Sequence, residues 1–132
     1  MMQFLLVAVG GALGAMARYG LGLTAGRLAP ASAWPWGTFV ANITGGLLMG
    51  LLAGWLALKA GAGQESIRLF AAVGVLGGFT TFSAFSLETA LMIERRELAT
   101  AFVYAVGSVV VSIAALFVGL MIARKLFTGV GA

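Results

Sequence analysis

The third apolar stretch of the chain reads GVLGGFTTFSAFS over residues 74–86. Two adjacent glycines, Gly77 and Gly78, stand inside this hydrophobic run, and Thr80 and Thr81 follow almost at once. Each glycine weakens a helix by about 1 kcal/mol relative to alanine. We therefore predict a membrane helix that is broken at Gly77-Gly78, where freed carbonyls need protein, water or an ion as a partner. The alternative is an intact helix with a glycine-lined packing notch.

The composition around this stretch nearly excludes a water-soluble domain. Of the 132 residues, 61% are hydrophobic and only 9% are charged, whereas about 25% are charged in an ordinary soluble domain. The sequence contains no His, Cys or Asp, which removes His/Cys metal sites, the usual triads and redox thiols. An enzyme is therefore the least expected class. The net charge of +4 comes from residues that flank apolar runs, which indicates membrane anchoring rather than nucleic-acid binding.

Four apolar runs predict an all-α integral membrane protein with four transmembrane helices in a single domain over 1–132. The predicted spans cover about 2–28, 37–58, 69–93 and 99–123, and each is long enough for a hydrocarbon core of about 30 Å. The first run lacks a basic leader and is too long for a signal peptide, so we expect it to be retained.

The basic residues are divided equally between the two expected sides of the membrane. They are Lys59, Arg68, Arg124 and Lys125 on one side and Arg18, Arg27, Arg95 and Arg96 on the other. A Lys/Arg bias normally fixes the orientation of a membrane protein. Its absence predicts dual topology, in which two inverted copies pair as an antiparallel dimer. The alternative is that folded geometry or the burial of Arg18 decides the orientation.

Small and polar residues recur at every fourth position on three of the helices, and residues at this spacing share one helix face. The three sets are Gly10, Gly14, Arg18, Gly22 and Gly26; Thr38, Asn42, Gly46, Gly50 and Gly54; and Thr100, Tyr104, Ser108 and Ser112. The glycines predict close helix packing. A single hydroxyl often bonds only its own helix, but a line of hydroxyls indicates a partner or a water-filled pathway. Arg18 either snorkels to the interface or lends positive potential to a vestibule.

Phe82 and Phe85 lie three residues apart, just after the predicted break and beside Ser83. A Phe pair in a membrane helix is usually lipid-facing or part of the core. Here its electropositive ring edges can contact a small anion in a dry site. Together with the amide of Asn42 and the hydroxyl of Thr81, the rings predict an anion path without a fixed cation, since conduction needs weak and multiple sites.

Three motifs resemble the signatures of the Fluc (CrcB-type) fluoride channels. They are Gly-Ala-x-x-Arg-Tyr at 14–19, Gly-Thr-Phe-x-Ala-Asn at 37–42 and Gly-x-x-Gly-Gly-Phe-Thr-Thr-Phe-Ser-x-Phe at 74–85. The resemblance covers essentially the whole chain. It implies a fluoride-selective channel of the cell (inner) membrane that exports fluoride passively and lowers its cytoplasmic toxicity. It also implies an antiparallel homodimer with two fluoride pathways.

The resemblance and the hydroxyl lines together give the expected pathway residues. These are Asn42, Phe82 and Phe85 with the hydroxyl groups of Thr38, Thr81, Ser83, Tyr104, Ser108 and Ser112. The resemblance further implies a structural sodium ion at the dimer centre, held by the backbone carbonyls of Gly77 and Thr80 from both subunits. Arg18 matches the basic residue near the vestibule, and Glu88 either lines the vestibule mouth or pairs with a nearby Arg.

Two other classes of protein fit part of the pattern. A small dual-topology multidrug exporter has this size, but it exchanges protons through a membrane carboxylate, for which Glu88 is the deep candidate. A non-transporting assembly subunit would need neither the hydroxyl lines nor the Gly77-Gly78 pair. The chain has no phosphate-binding Gly-x-x-x-x-Gly-Lys-Ser/Thr motif, so ATP-driven transport is not expected.

Overall fold

The computed structural model describes residues 1–59 and 61–129, and these residues are helical apart from short connections. The helices are α1 (Met2–Leu28), α2 (Trp36–Leu58), α3 (Gln64–Ile67), a π-helix (Arg68–Leu76), α4 (Gly77–Phe79), α5 (Phe82–Glu94) and α6 (Leu98–Thr128). The predicted domain also includes residues 60 and 130–132, which lie outside the described residues.

Four helical segments are long and apolar enough to cross a membrane, as the sequence predicts. They are Met2–Leu28, Trp36–Leu58, Gln64–Glu94 and Leu98–Thr128. Their most apolar windows have a mean hydropathy of 1.6 for the first three and 2.5 for the fourth. The fourth helix continues to Thr128, beyond its predicted end at Ala123.

Helices α2 and α6 run side by side in the same direction, and glycines of α2 line their contact. A Cβ added to Gly46 would lie 2.8 Å from the carbonyl oxygen of Ser112, and one added to Gly54 would lie 2.6 Å from the Cβ of Ala123. Distances this short leave no room for a side chain. The glycine face of α2 therefore brings the two backbones together, which is how membrane helices associate without a hydrophobic driving force.

Helix α1 packs against the third segment in the same manner over its first half. A Cβ on Gly10 would lie 3.0 Å from the Cα of Gly74, and one on Gly14 would lie 2.8 Å from the backbone nitrogen of Phe79. In contrast, a Cβ on Gly22 or Gly26 would meet nothing within 4 Å. The prediction of close packing is therefore wrong for Gly26, which borders an open cavity. Gly22 borders the same cavity, but α2 packs closely against it, since a Cβ on Gly37 would lie 2.9 Å from the Gly22 Cα.

The backbone of the third segment leaves the helical conformation at Thr80 and Thr81 rather than at the two glycines. Gly77 has helical angles, with φ −63° and ψ −38°, and α4 continues to Phe79. Thr80 and Thr81 are extended, with ψ angles of 157° and 124°. The prediction of a break at Gly77-Gly78 is wrong in position. Two β-branched residues favour extended backbone. Gly78 instead allows α1 to approach, since a Cβ there would lie 3.1 Å from the Cα of Gly11.

The turn that precedes this point is wider than an α-helix. The Gly77 N–H reaches back five residues to the carbonyl of Ala72, which is the pattern of a π-helix. A Cβ on Gly10 would lie 3.1 Å from the backbone nitrogen of Val75, so α1 packs directly against this turn. The sequence contains no signal that predicted it.

The described chain has a small core close to one end of the bundle. Met92, Ala101 and Tyr104 are buried, and Trp34, Phe39 and Phe85 pack against them. Most of the remaining surface consists of exposed aliphatic and aromatic side chains, such as Phe102 and Val110 on α6. Such a surface suits a lipid environment, where apolar groups need no cover.

Candidate functional site

Asn42 on α2 supplies the backbone hydrogen-bond partners that Thr81 would have in a continuous helix. The Thr81 backbone N–H donates to Asn42 Oδ1 at 2.8 Å, and Asn42 Nδ2 donates to the Thr81 carbonyl at 3.0 Å. An unpaired backbone group within a bilayer costs several kcal/mol. The side-chain amide therefore makes the extended backbone tolerable at this depth. Sequence reasoning placed Asn42 in the site but did not predict this pairing.

The extended residues also change the hydrogen bonding of the carbonyls before them. Gly78 receives a hydrogen bond from Arg18 Nε at 3.2 Å, whereas within residues 1–59 and 61–129 the carbonyls of Gly77 and Thr80 receive none. The Thr80 N–H and hydroxyl both donate to the carbonyl of Leu76. The interruption thus leaves two backbone oxygens available for another partner.

Thr81 begins α5 with its own side chain. Its Oγ1 accepts the backbone N–H of Ala84 at 3.2 Å and lies 3.2 Å from Ser83 Oγ. A hydroxyl at this position is a normal helix N-cap. The structural role of Thr81 is therefore clear, and Ser83 contacts it without reaching the cavity described next.

An inner cavity of about 310 Å³ lies between α2, the start of α5 and α6. It is lined by Asn42, Thr80, Thr81, Phe82, Phe85, Ser108, Val109, Ser112 and Ile113. The hydroxyls of Ser108 and Ser112 are buried and, within the described part of the chain, have no hydrogen-bond partner. Buried polar groups are normally paired. The two hydroxyls are therefore free to bind something that enters the cavity.

The two phenylalanines of the site differ in exposure. Their ring centroids are 5.4 Å apart, and Phe85 also lies 5.5 Å from the ring of Tyr104. Phe85 is partly buried, whereas 75% of Phe82 is exposed in the single chain. Tyr104 is fully buried and does not line the inner cavity. The sequence placed it in the pathway beside Ser108, whereas in the structure it packs against the Phe85 ring.

Glu88 joins three helices through two short hydrogen bonds. Thr38 Oγ1 on α2 donates to Glu88 Oε1 at 2.6 Å, and the Tyr104 hydroxyl on α6 donates to Glu88 Oε2 at 2.6 Å. Short bonds to a carboxylate are the strong, charge-assisted kind. In the part of the chain that the structure describes, ion pairs form only between Arg68 and Glu65 and between Arg95 and Glu97. Among the described residues of the single chain, Glu88 therefore pairs with no Arg.

An outer cavity of about 480 Å³ lies between α1, α2 and the loop that joins them. Arg18, Glu88, Thr38, Trp34 and Trp36 are among the residues that line it. The Nε of Arg18 points inward to Gly78, so the guanidinium is not simply extended to the membrane surface. Arg18 and Glu88 thus face the same cavity, whereas Ser108 and Ser112 line the inner one.

Sequence reasoning missed several of the residues that line the two cavities. Val109 and Ile113 follow Ser108 and Ser112 by one position and form part of the wall of the inner cavity. Helical periodicity could have located them, because adjacent positions lie about 100° apart around the axis. Trp34 packs edge-on against Tyr104, with ring centroids 5.2 Å apart, and only its position before α2 could have suggested this.

These features define a small, all-helical, multi-pass membrane protein with polar groups directed into two cavities. A family model described as "CrcB-like protein, Camphor Resistance (CrcB)" matches residues 5–120. The chain belongs to this family.

Curated relatives match the chain over nearly its whole length. It is 63% identical to "Fluoride-specific ion channel FluC" of Caulobacter sp. strain K31, covering 97% of this chain and 99% of that protein. It is 62% identical to the protein of the same name from Phenylobacterium zucineum, covering 96% and 99%. A third relative, from Paracoccus denitrificans, is 54% identical and covers 94% and 96%. The relatives are named as ion channels and not as enzymes, which agrees with the prediction from composition.

Proposed function

We propose that the chain forms a fluoride-selective channel that lets fluoride leave the cell passively. The observation that carries the proposal is the inner cavity, where the unpartnered hydroxyls of Ser108 and Ser112 lie beside the rings of Phe82 and Phe85. High identity to proteins named as fluoride-specific channels supports the same function.

The chemistry of this cavity suits a small and strongly hydrated anion. Hydroxyl groups are hard donors that can replace water around fluoride, and the edges of the Phe rings add weak electropositive contacts. No cation lines the inner cavity, so nothing there would hold the anion too tightly for conduction. Chloride is larger and fits such donors less well.

The outer cavity serves as the vestibule in this proposal. Arg18 supplies positive potential at its wall, and both oxygens of Glu88 already accept hydrogen bonds from Thr38 and Tyr104. These donors offset the negative charge that would otherwise repel an anion. In this proposal fluoride passes from the vestibule to the inner cavity by way of Thr38, Tyr104, Phe85 and Ser108. Thr81 lies in the wall of the inner cavity, and Ser83 lies next to Thr81.

An antiparallel dual-topology homodimer completes the proposed channel. Phe82, Ser83 and Ser86 are exposed on α5 in the single chain, and polar groups facing lipid at this depth are costly. A second, inverted copy would cover them and close the inner cavity on its open side. The equal division of basic residues between the two ends supports insertion in both orientations.

We further propose a structural sodium ion between the two copies. The carbonyls of Gly77 and Thr80 are hard oxygen ligands with no other partner among the described residues, and rings of backbone carbonyls bind alkali cations in other channels. One chain offers two such oxygens and an inverted copy offers two more. A bound cation there would add positive potential beside the pathway without lying in it.

The membrane potential drives the proposed export. In a cell (inner) membrane with a negative interior, an anion gains about 2.3 kcal/mol per 100 mV on leaving. Neither ATP nor a proton gradient is then needed.

Fluoride release from liposomes tests the function directly. Purified protein is reconstituted with potassium fluoride inside, valinomycin is added to balance the charge, and a fluoride electrode follows release at equal internal and external pH. We expect rapid release of fluoride and none of chloride from matched chloride-loaded vesicles. Release that occurs only with an imposed proton gradient would instead favour a proton-coupled exporter.

A further inference from the structure

Gly45 on α2 lies against the point where the third segment leaves the helical conformation. It is buried, and a Cβ added to it would collide with Cγ2, the side-chain methyl of Thr80. The same Cβ would lie 3.5 Å from Phe79 Cδ1 and 3.7 Å from Thr80 Cβ, which is ordinary contact. The missing side chain of Gly45 therefore leaves a notch in α2, and the Thr80 methyl fills it.

The side chain of Thr80 is held at both of its branches. Its Oγ1 donates to the carbonyl of Leu76 at 2.9 Å, while its Cγ2 lies in the notch at Gly45. A β-branched side chain is stiff at χ1. With both branches fixed, the Cα of Thr80 has little freedom to rotate.

The peptide group that follows this Cα is held by the same helix. Its N–H belongs to Thr81 and donates to Asn42 Oδ1 at 2.8 Å, and its C=O is the Thr80 carbonyl. In the ranges that the structure describes, every peptide bond is trans, so the C=O points in the opposite direction to the N–H of the same plane. The Thr80 carbonyl is therefore directed away from Asn42.

Asn42 and Gly45 are three positions apart and lie on one face of α2. Asn42 holds the N–H of the peptide group, and Gly45 seats the side chain that precedes it. The oxygen of this peptide group, on Thr80, is one of the two carbonyls without a partner among the described residues. Its direction thus depends on two contacts from one helix.

We propose that Gly45 is a positioning residue for the sodium site, because its notch seats the Thr80 methyl and so sets the direction of the Thr80 carbonyl. The inference rests on the sodium ion proposed above. It adds a residue that offers the ion no ligand and does not line the inner cavity. Residues that orient the ligands of a metal contribute about 10- to 100-fold to its affinity.

Sodium binding by the full chain in detergent tests the inference. The midpoint of thermal unfolding is followed against Na⁺ concentration, with N-methylglucamine holding the ionic strength constant, and its rise gives an apparent Kd. We expect Gly45→Ala to weaken sodium binding by about 10- to 100-fold. Gly50→Ala is the matched control, since its Cβ also collides, but with Leu116 of α6. It should lower the midpoint without sodium and keep the Kd within about threefold.

Thr80→Ser provides the rescue. Serine keeps the hydroxyl that bonds Leu76 and removes the methyl that Gly45→Ala would meet, while the remaining neighbours of the added Cβ lie at 3.5 Å or more. In the Thr80→Ser background, Gly45→Ala should therefore change the apparent Kd by less than about threefold. A purely structural role of Gly45 in helix packing would not produce this dependence on the Thr80 methyl.

The possible failures are distinguishable. A wild-type midpoint that does not respond to Na⁺ would overturn the sodium site and this inference with it, whereas fluoride release from liposomes judges the channel itself. A wild-type Kd in Gly45→Ala would overturn the role of the notch alone. Equal weakening by Gly45→Ala and Gly50→Ala, or no rescue by Thr80→Ser, would assign Gly45 to helix packing. If Gly45→Ala does not fold, the double variant should still fold and bind sodium, and its failure to do so would overturn the inference.

Discussion

Asn42 and Thr81 are joined by two hydrogen bonds, one in each direction, across the gap between α2 and the third segment. The amide oxygen accepts the Thr81 N–H at 2.8 Å, and the amide nitrogen donates to the Thr81 carbonyl at 3.0 Å. A carboxamide can pair with a peptide group as another peptide group would. The third segment therefore leaves the helical ladder at Thr81 without leaving these two backbone groups unpaired.

Asn42→Asp is expected to destabilise the protein and stop conduction. The carboxylate can still accept from the Thr81 N–H, but it places a negative oxygen against the Thr81 carbonyl and beside the anion path. An unsatisfied buried group costs about 1–3 kcal/mol. Thermal unfolding in detergent measures the stability loss, and the fluoride electrode measures the flux. Thr24→Val is the control, because the Thr24 hydroxyl, among the residues that the structure describes, bonds just the Gly20 carbonyl of its own helix. Wild-type conduction by Asn42→Asp would contradict the assignment.

Phe82→Ile and Phe85→Ile should each lower fluoride efflux by at least about tenfold, because both remove ring edges from the inner cavity. Their effects on stability should differ. Phe85 packs against Tyr104, whereas Phe82 is 75% exposed in the single chain. We therefore expect Phe85→Ile to lower thermal stability and Phe82→Ile to leave the monomer fold unchanged. Efflux that survives both changes would remove the rings from the pathway.

Gly50→Ala should weaken the contact of α2 with α6. The added Cβ would collide with the carbonyl oxygen of Leu116 and lie 3.0 Å from its carbonyl carbon. Overpacking of this kind costs about 1–3 kcal/mol. Gly20→Ala on α1 is the matched control, since its Cβ meets nothing within 4 Å and alanine favours a helix. Chemical unfolding should rank the control at or above the wild type, and an equal loss in both variants would refute the packing argument.

The Glu88→Gln variant distinguishes the proposed channel function from proton-coupled export. The variant keeps the shape of the side chain but loses the charge that strengthens the bonds from Thr38 and Tyr104, so stability should fall by about 1–2 kcal/mol. Fluoride efflux at equal pH should continue within about tenfold of the wild-type rate. Abolished transport in a folded Glu88→Gln protein would mean that the carboxylate carries protons.

Arg96→Gly should stabilise the turn between α5 and α6. Arg96 has a φ of 61°, a left-handed conformation that costs a non-glycine residue about 1–2 kcal/mol. Arg95, with φ −76°, provides the comparison, because glycine relieves nothing there. The midpoint of thermal unfolding should rise for Arg96→Gly and stay level or fall for Arg95→Gly. The reverse order would contradict the strained turn.

Hydropathy alone predicts the four membrane segments, and four-residue spacing predicts the packing of Gly46, Gly50 and Gly54 on α6. Both patterns depend on residues near one another in the chain. The position of the interruption at Thr80 and Thr81 does not follow from local propensity, because its partner, Asn42, comes from another helix. Propensity pointed instead to the adjacent glycines.

The hydrogen-bond partners of Glu88 could not be predicted from the sequence for the same reason. Thr38 and Tyr104 stand 50 and 16 residues away along the chain, and no spacing rule connects them. The π-helical turn at Arg68–Leu76 was not predicted from the sequence either. The sequence predicts which side chains can donate hydrogen bonds in the site, and the fold shows which of these donors already have an acceptor.

The pairing of Asn42 with Thr81 also bears on how the chain enters a bilayer. Synthesis proceeds from the amino terminus, so α2 is made before the third segment emerges. The Asn42 amide, which pairs with the Thr81 backbone, is therefore already available when the extended residues reach the lipid. A circular permutant that begins with the third segment would reverse this order and present the unpaired peptide groups of Thr80 and Thr81 to the insertion machinery first. The order of the segments along the chain thus makes the partner of the non-helical residues in the third segment before those residues themselves.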